Sequence, residues 1–199
     1  MTTGSLAYRK HADQIQHGQV PSKYERVLPF IASAGRHVLE IGSAEGVLSL
    51  LMASRDPSAR VTGLELRTER HQAALELQMR WMAIGRHVEW CSLICGNIAD
   101  RLDLLEGVNT LVAVRTLYHL RDDVDRVLAA AAQHVSQVVL VGNPNRAKRY
   151  LAANGSPDDT LGAFNVYAGV EGMRLALERA GFTIGQIVTE GDPIVTGHR

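Results

Sequence analysis

The stretch that decides the fold runs from Val38 to Leu51 and reads VLEIGSAEGVLSLL. A short apolar run ends in an acid, a loop of small residues follows, and a helical pattern begins at once. This order predicts a strand over 38–41, a tight turn, and a helix over 47–53. In such a layout the backbone N–H groups of the turn and of the helix N-terminus face an incoming ligand.

A second acid stands where the next strand ends. The apolar stretch ARVTGL at 59–64 is followed by Glu65, twenty-three residues after Gly42. A carboxylate at the tip of a neighbouring strand can accept two hydrogen bonds from a ribose diol. The loop and this acid together predict a site for a cofactor that carries a nucleoside.

The glycine pattern indicates which cofactor the loop favours. A dinucleotide-binding loop needs glycine where the chain has Ala44 and Val47, and no Gly-Lys-Ser/Thr of a P-loop follows. The chain instead reads Glu40-x-Gly42-x-Ala44-x-Gly46. This resembles the E/D-x-G-x-G-x-G motif of the class I S-adenosylmethionine-dependent methyltransferases, with alanine in place of the middle glycine.

Length and composition set bounds on the function. A chain of 199 residues is expected to form one globular unit. Lys plus Arg and Asp plus Glu are equal at 21 each, which argues against a dedicated nucleic-acid binder. Cys91 and Cys95 fall on one predicted strand, roughly 13 Å apart, and cannot pair there. Two unpaired thiols and the lack of a signal or membrane-spanning pattern lead us to expect a soluble cytoplasmic protein.

Short apolar runs alternate with helical patterns along the chain, which predicts a doubly wound, mostly parallel α/β sheet with helices on both faces. The resemblance implies seven strands in the order 3-2-1-4-5-7-6, the last two forming a reversed hairpin. The predicted strands are 38–41, 61–65, 88–95, 110–114, 138–141, 182–189 and 194–196. The predicted helices are 22–32, 47–53, 68–84, 99–105, 122–132 and 170–180, with Thr68 as the N-cap of the third.

The domain prediction separates an N-terminal segment, 1–35, from a cofactor-binding domain, 36–199. The first twenty residues fit no strand and contain several basic and aromatic residues. In the family such a segment often caps the cofactor, and a frayed terminus is the alternative.

The resemblance implies a cofactor site at the ends of the first three strands. The loop would approach S-adenosylmethionine through its backbone, and Glu65 would hold the ribose. Asn97 would accept from the adenine amino group with Ile98 against the ring, and Asp100 is an alternative acceptor. The complete set of expected cofactor-binding residues is Glu40, Gly42, Ser43, Ala44, Gly46, Glu65, Leu66, Asn97, Ile98 and Arg115.

The end of the fourth strand points into the crevice where an acceptor is expected. Arg115 follows the apolar strand, a position that suggests contact with a carboxylate or a phosphate. Tyr118 is predicted to line the pocket and His119 to take a proton, although both could simply pack at the start of a helix. Arg115 and Tyr118 replace the acids of the E-x-x-E-H motif in a metal-dependent RNA methyltransferase class, so no such metal site can form. The eight histidines are scattered without H-x-x-H or H-E-x-x-H spacing, and we therefore expect no metal.

The expected function is methyl transfer from S-adenosylmethionine to an O- or N-acceptor on a small molecule with an anionic group. A tRNA or RNA methyltransferase is the alternative, suggested by a basic cluster at Arg146, Lys148, Arg149 and Tyr150 and by short likenesses to wobble-uridine enzymes. A third hypothesis is a cofactor-binding fold that has lost catalysis and serves as an interaction module. A homodimer and the absence of a membrane partner are further expectations.

Overall fold

A computed structural model describes residues 20–31, 36–144 and 166–199, together with Gln14. The predicted sheet is confirmed, since seven strands lie in the order β3-β2-β1-β4-β5-β7-β6. The first five strands are parallel, and β7 is antiparallel to both of its neighbours. The strands are β1 (His37–Ile41), β2 (Arg60–Glu65), β3 (Cys91–Cys95), β4 (Thr110–Val114), β5 (Gln137–Val141), β6 (Thr183–Val188) and β7 (Ile194–His198).

Helices cover both faces of the sheet. In the described ranges they are α1 (Ser22–Glu25), α2 (Val47–Arg55), α3 (Thr68–Ala83), α4 (Val124–His134) and α5 (Val170–Arg179), with short 3₁₀ turns between some of them. Among the described residues, no helix is both long enough and apolar enough to cross a membrane.

Several predicted boundaries were wrong for local reasons. The helix expected over 22–32 ends at Glu25 and gives way to the 3₁₀ turn Leu28–Phe30, which contains Pro29. The helix expected over 99–105 is two 3₁₀ turns, split at Arg101, whose φ of −131° is not helical. Thr68 begins α3 and does not cap it.

The apolar residues form two cores, one on each face of the sheet. Along a strand, successive side chains point to opposite faces. Leu39 and Ile41 therefore pack in the core under α4 and α5, whereas Val38 packs with α2 and α3 on the other face. Glu40 points to that second face and is 3% exposed, so a carboxylate stands where the pattern calls for an apolar side chain.

The segment 20–31 packs on the second core. Tyr24, Val27 and Ile31 are buried there, and the side-chain amide of Gln137 donates to the carbonyl of Phe30 at 2.8 Å. Lys23 and Tyr24 of α1 reach the carboxyl ends of the parallel strands, where they line a pocket. The capping role predicted for 1–35 stays a prediction, because residues 1–13, 15–19 and 32–35 lie outside the described residues.

Cys91 and Cys95 are free thiols, as their spacing on one strand predicts. The basic cluster at Arg146, Lys148, Arg149 and Tyr150 lies outside the described residues.

Candidate cofactor site

A pocket of about 410 Å³ lies at the carboxyl ends of the parallel strands. Its wall includes residues at the end of, or just after, each of the strands β1 to β5, such as Gly42, Glu65, Gly96, Thr116 and Asn143. The strand order reverses between β1 and β4, and ligands of open α/β sheets bind at this kind of switch point. The volume falls within the range of roughly 300–1,000 Å³ that is typical of small-molecule sites.

The N–H groups of Gly42, Ser43 and Ala44 in the loop after β1 all donate within the chain, so they do not face a ligand as the sequence predicts. Gly42 has a φ of +72°, and a Cβ there would lie 2.3 Å from the hydroxyl oxygen of Thr116. The N–H groups of Gly42 and Ser43 both donate to the carbonyl of Leu64, at 2.7 and 3.0 Å. These bonds fold the loop over the end of β2, where Gly42, Ser43 and Ala44 line the pocket.

Glu65 is held in place by two backbone donors. Its Oε2 accepts from the N–H of Ala44 at 2.8 Å, and its Oε1 accepts from the N–H of Arg67 at 2.9 Å. The residue is 6% exposed and lines the pocket. Each carboxylate oxygen has a second lone pair, so Glu65 can still accept hydrogen bonds from a diol.

Glu40 is a second carboxylate in the pocket wall. The hydroxyl of Ser49 on α2 donates to its Oε2 at 2.5 Å. Burial raises the pKa of Glu40 to about 7, and the neighbouring Glu65 adds to the rise, whereas the Ser49 hydrogen bond and the charge of Lys23 oppose it. Glu40 therefore exchanges a proton close to neutral pH.

Lys23 is a pocket residue that nothing in the sequence singled out. Lys23 lines the pocket from α1, with its ammonium 4.5 Å from the centre of the Tyr24 ring. Burial and the charge of Arg115 lower its pKa to about 8, against the attraction of Glu40, Glu45 and Asp192. The sequence around Lys23 contains no motif that indicates a site residue. Lys23 reaches the pocket only because α1 packs on the sheet.

The residues expected near the adenine lie at the other end of the pocket. Ile98 is buried, Leu66 is 64% exposed, and both line the pocket with Asn97. The side-chain oxygen of Asn97 already accepts from the N–H of Ala99 at 3.2 Å. Asp100, the alternative acceptor, is exposed and does not line the pocket.

Gly46 does not occupy the place expected of it. It does not line the pocket, its N–H donates to the carbonyl of Ser43 at 2.8 Å, and a Cβ there would lie 2.9 Å from the Cβ of Ala74 on α3. The lack of a side chain at Gly46 therefore allows α3 to pack closely against it. Gly46 is also the N-cap residue of α2, with a φ of +73°.

Tyr118 does not line the pocket, which corrects the expectation from the sequence. It is 1% exposed, because the 3₁₀ turn Leu117–His119 directs it inward. His119 is exposed and lines the pocket, with its ring centre 4.6 Å from that of Tyr118. A role for His119 as a base stays a prediction.

Arg115 lines the pocket, but the carboxylate that it meets belongs to the chain itself. Its Nε donates to Oδ2 of Asp192 at 2.7 Å, and its terminal nitrogen contacts the same oxygen. Asp192 lies in the turn between β6 and β7. Arg115 has a φ of +56°, and its N–H donates to the carbonyl of Val141 at 2.7 Å. Asp192 therefore competes with any ligand anion for the guanidinium of Arg115.

Within the described ranges, no group of three or more His, Cys, Asp and Glu residues is arranged to hold a metal ion.

Comparison with known proteins identifies relatives of this fold. The chain is 26% identical over 202 residues to the malonyl-[acyl-carrier protein] O-methyltransferase of Geobacter sulfurreducens, a match that covers 93% of this chain and 71% of that protein. No protein-family model matches the chain.

Many solved structures share the architecture, among them a methyltransferase and a biosynthetic protein. Magnesium protoporphyrin IX methyltransferase (ChlM) from Synechocystis PCC 6803, crystallised with S-adenosylmethionine, superposes with a TM-score of 0.64 at 17% identity over 95% of this chain and 79% of ChlM. The pyocyanin biosynthetic protein PhzM gives a TM-score of 0.61 at 18% identity over 89% of this chain. The chain spans about half of PhzM, 54% of its length.

The strand order, the loop after β1 and these similarities agree. The chain has the fold of the class I S-adenosylmethionine-dependent methyltransferases, and its resemblance to that family, first indicated by the motif from Glu40 to Gly46, is confirmed.

Proposed function

We propose that the protein is a methyltransferase that uses S-adenosylmethionine and modifies an oxygen or nitrogen atom of a small molecule. One observation carries this proposal: the carboxylate of Glu65, which is expected to bind the ribose, accepts a hydrogen bond from the N–H of Ala44 in the loop after β1. Both residues line the pocket at the switch point of the sheet. This arrangement presents a backbone surface and a fixed carboxylate side by side.

The residues present fit the cofactor. Gly42 lines the pocket without a side chain, Glu65 offers lone pairs for ribose hydroxyls, and Leu66 and Ile98 offer an apolar surface for the adenine ring. Glu40 and Lys23 add opposite charges to the same wall. When bound, S-adenosylmethionine supplies a methyl group on a sulfonium that is already activated for displacement.

The chain itself must then position the acceptor, exclude water and accept a proton where the acceptor is O–H or N–H. His119 and Asn143 line the side of the pocket that follows β4 and β5. We assign His119 to the proton and Arg115 to an anionic group of the acceptor, which would compete with Asp192 for the guanidinium. The Geobacter relative is named a malonyl-[acyl-carrier protein] O-methyltransferase, and a malonyl group carries a carboxyl group, which supports this choice.

The experiment that tests the proposal has two parts. Calorimetry is expected to show that the purified chain binds S-adenosylhomocysteine, and labelled S-adenosylmethionine is expected to transfer its methyl group into an extract of small acids. His119→Asn is expected to lower turnover by about 10²-fold or more if the imidazole takes a proton, with unchanged binding of S-adenosylhomocysteine. Failure to bind would contradict the proposal.

The alternatives give different results in the same assay. Recovery of the label in RNA, together with an affinity of the protein for RNA that weakens steeply as the salt concentration rises, would support the RNA methyltransferase. Tight binding of the cofactor without transfer to any pool would support the inactive interaction module.

A further inference from the structure

Arg121 is a cation of the pocket wall to which the proposed function gives no role. It is exposed, it comes two residues after the 3₁₀ turn Leu117–His119, and it lines the pocket together with His119. We propose that Arg121 binds a second anionic group of the methyl acceptor, so that the acceptor is a dianion with one negative group for Arg115 and one for Arg121. This assignment rests on the proposed function, because it takes a methyl acceptor as the occupant of this side of the pocket.

The charge of Arg121 is available to a ligand. Its guanidinium has no hydrogen bond or ion pair with any residue in the part of the chain that the structure describes. Asp123 also lines the pocket, but its Oδ1 already accepts from Nε and a terminal nitrogen of Arg126, at 3.2 and 2.7 Å. Arg115, in contrast, contacts Asp192 and becomes available only when another anion displaces that carboxylate.

The backbone of Arg121 is strained. Its φ is +51°, in the left-handed region that residues with a Cβ rarely adopt. Within the described ranges, three residues other than glycine have a positive φ, and all three line the pocket: Ala44, Arg115 and Arg121. Strain of this kind concentrates at ligand sites. An arginine at a position that glycine or asparagine would occupy with less strain indicates that its guanidinium is needed there.

The overall charge of the pocket favours an acceptor with more than one negative group. Among the described residues that line it, lysine and arginine outnumber aspartate and glutamate by five to three. S-adenosylmethionine adds positive charge of its own, because its carboxylate and ammonium offset each other and leave the sulfonium unbalanced. Charges that are withdrawn from water need partners, and a dianion supplies two of them. The five cations are Lys23, Arg67, Arg70, Arg115 and Arg121.

Two anionic contacts would also orient the acceptor. In the chain, His119 comes four residues after Arg115 and two residues before Arg121, and all three residues line the pocket. A single contact leaves an acceptor free to rotate about it, whereas contacts with both arginines fix its direction relative to the imidazole. Such orientation is one of the main contributions that a protein makes to a displacement reaction.

The test uses the chain saturated with S-adenosylhomocysteine. The probes are malonate, succinate and glutarate, each compared with its monomethyl ester, which has one negative charge less. Titrations followed by nuclear magnetic resonance at constant ionic strength would give the dissociation constants for the wild type, Arg121→Asn and Arg121→Lys. Arg60→Gln is the matched control, because Arg60 is an exposed arginine at the start of β2 and does not line this pocket.

We expect at least one dicarboxylate to bind the wild type about tenfold or more tightly than its monomethyl ester, as for the gain of a hydrogen bond between charged groups. Arg121→Asn should abolish this preference, and Arg121→Lys should keep part of it, because lysine keeps the charge without the fork of donors. Asparagine tolerates the left-handed backbone, so Arg121→Asn should unfold at the temperature of the wild type or above it. That second measurement separates binding by Arg121 from a structural role.

Four results would overturn this assignment while leaving the proposed function intact. The wild type might show no preference for any dicarboxylate, or Arg121→Asn might keep the full preference of the wild type. Arg60→Gln could lose as much preference as Arg121→Asn, which would indicate a general effect of net charge. Arg121→Asn could unfold at a lower temperature and lose S-adenosylhomocysteine as well, which would indicate a structural role. A wild-type protein that does not bind S-adenosylhomocysteine would overturn the proposed function itself, and this assignment with it.

Discussion

The carboxylate of Glu65 accepts a hydrogen bond from the backbone N–H of Ala44 at 2.8 Å. The end of β2 therefore holds the loop that follows β1, and both belong to one surface of the pocket. Because the same carboxylate also accepts from Arg67, its orientation is fixed before any ligand arrives. Preorganisation of this kind lowers the cost of binding.

Replacement of Glu65 tests this surface directly. We expect Glu65→Ala to weaken S-adenosylhomocysteine by ~1.5–3 kcal/mol, the value of hydrogen bonds to a charged group. Calorimetry at constant pH measures the loss. Glu69→Gln, an exposed acid in the first turn of α3, is the control, and equal binding by Glu65→Ala and wild type would refute the ribose assignment.

Gly42 is expected to be intolerant of a side chain for two separate reasons. Gly42→Ala and Gly85→Ala both place alanine at a positive φ, +72° and +77°, which costs roughly 1–2 kcal/mol each. Only at Gly42 does the new Cβ meet Thr116, whereas nothing lies within 4 Å at Gly85. Overpacking should therefore add about 1–3 kcal/mol to the destabilisation of Gly42→Ala.

Urea unfolding of both alanine variants gives this difference. If Gly42→Ala and Gly85→Ala lose the same free energy of unfolding, the close approach of Thr116 to the loop has no energetic consequence.

The ion pair between Arg115 and Asp192 joins β4 to the final hairpin. In a double-mutant cycle with Arg115→Gln and Asp192→Asn we expect a coupling free energy of about 1 kcal/mol or more, within the range for residues in direct contact. The exposed pair Arg101–Asp103 is the control, for which we expect a smaller coupling because solvent screens the two charges. Equal coupling in the two pairs would show that the Arg115 contact is an ordinary surface pair.

The buried acid Glu40 predicts a pH dependence of stability. Its pKa is raised by burial from the ordinary 4.5 to about 7, so the folded chain binds a proton that the unfolded chain releases. The stability due to the neutral acid is present below pH 4.5, falls as the pH rises, and is lost once the pH passes about 7.

Glu40→Gln removes this titration and keeps an acceptor for Ser49. Relative to the wild type we expect the variant to gain roughly 3 kcal/mol between pH 4.5 and pH 8, from the size of the pKa change. Unfolding by urea at both pH values measures it, with the exposed Glu106→Gln as control. A constant difference between variant and wild type at the two pH values would contradict the prediction.

Much of the fold could be predicted from the sequence because its signals are local. The acid and glycines after β1, the acid at the end of β2 and the alternation of strands with helices depend only on neighbouring residues. Boundaries failed where a side chain or a single backbone angle decided them, as at Pro29, Arg101 and Thr68. Their effect depends on the conformation that the surrounding structure imposes.

The sequence by itself determined the motif from Glu40 to Gly46 and the position of Glu65 beside it at the end of the neighbouring strand. The order of strand, loop and helix along the chain fixes which groups meet at the strand ends. Tertiary structure alone decided that Lys23 joins the pocket, that Tyr118 leaves it, and that Arg115 meets a residue 77 positions away. These outcomes depend on how α1 and the final hairpin pack against the sheet. Packing of segments far apart in the chain leaves no spacing in the sequence from which it can be predicted.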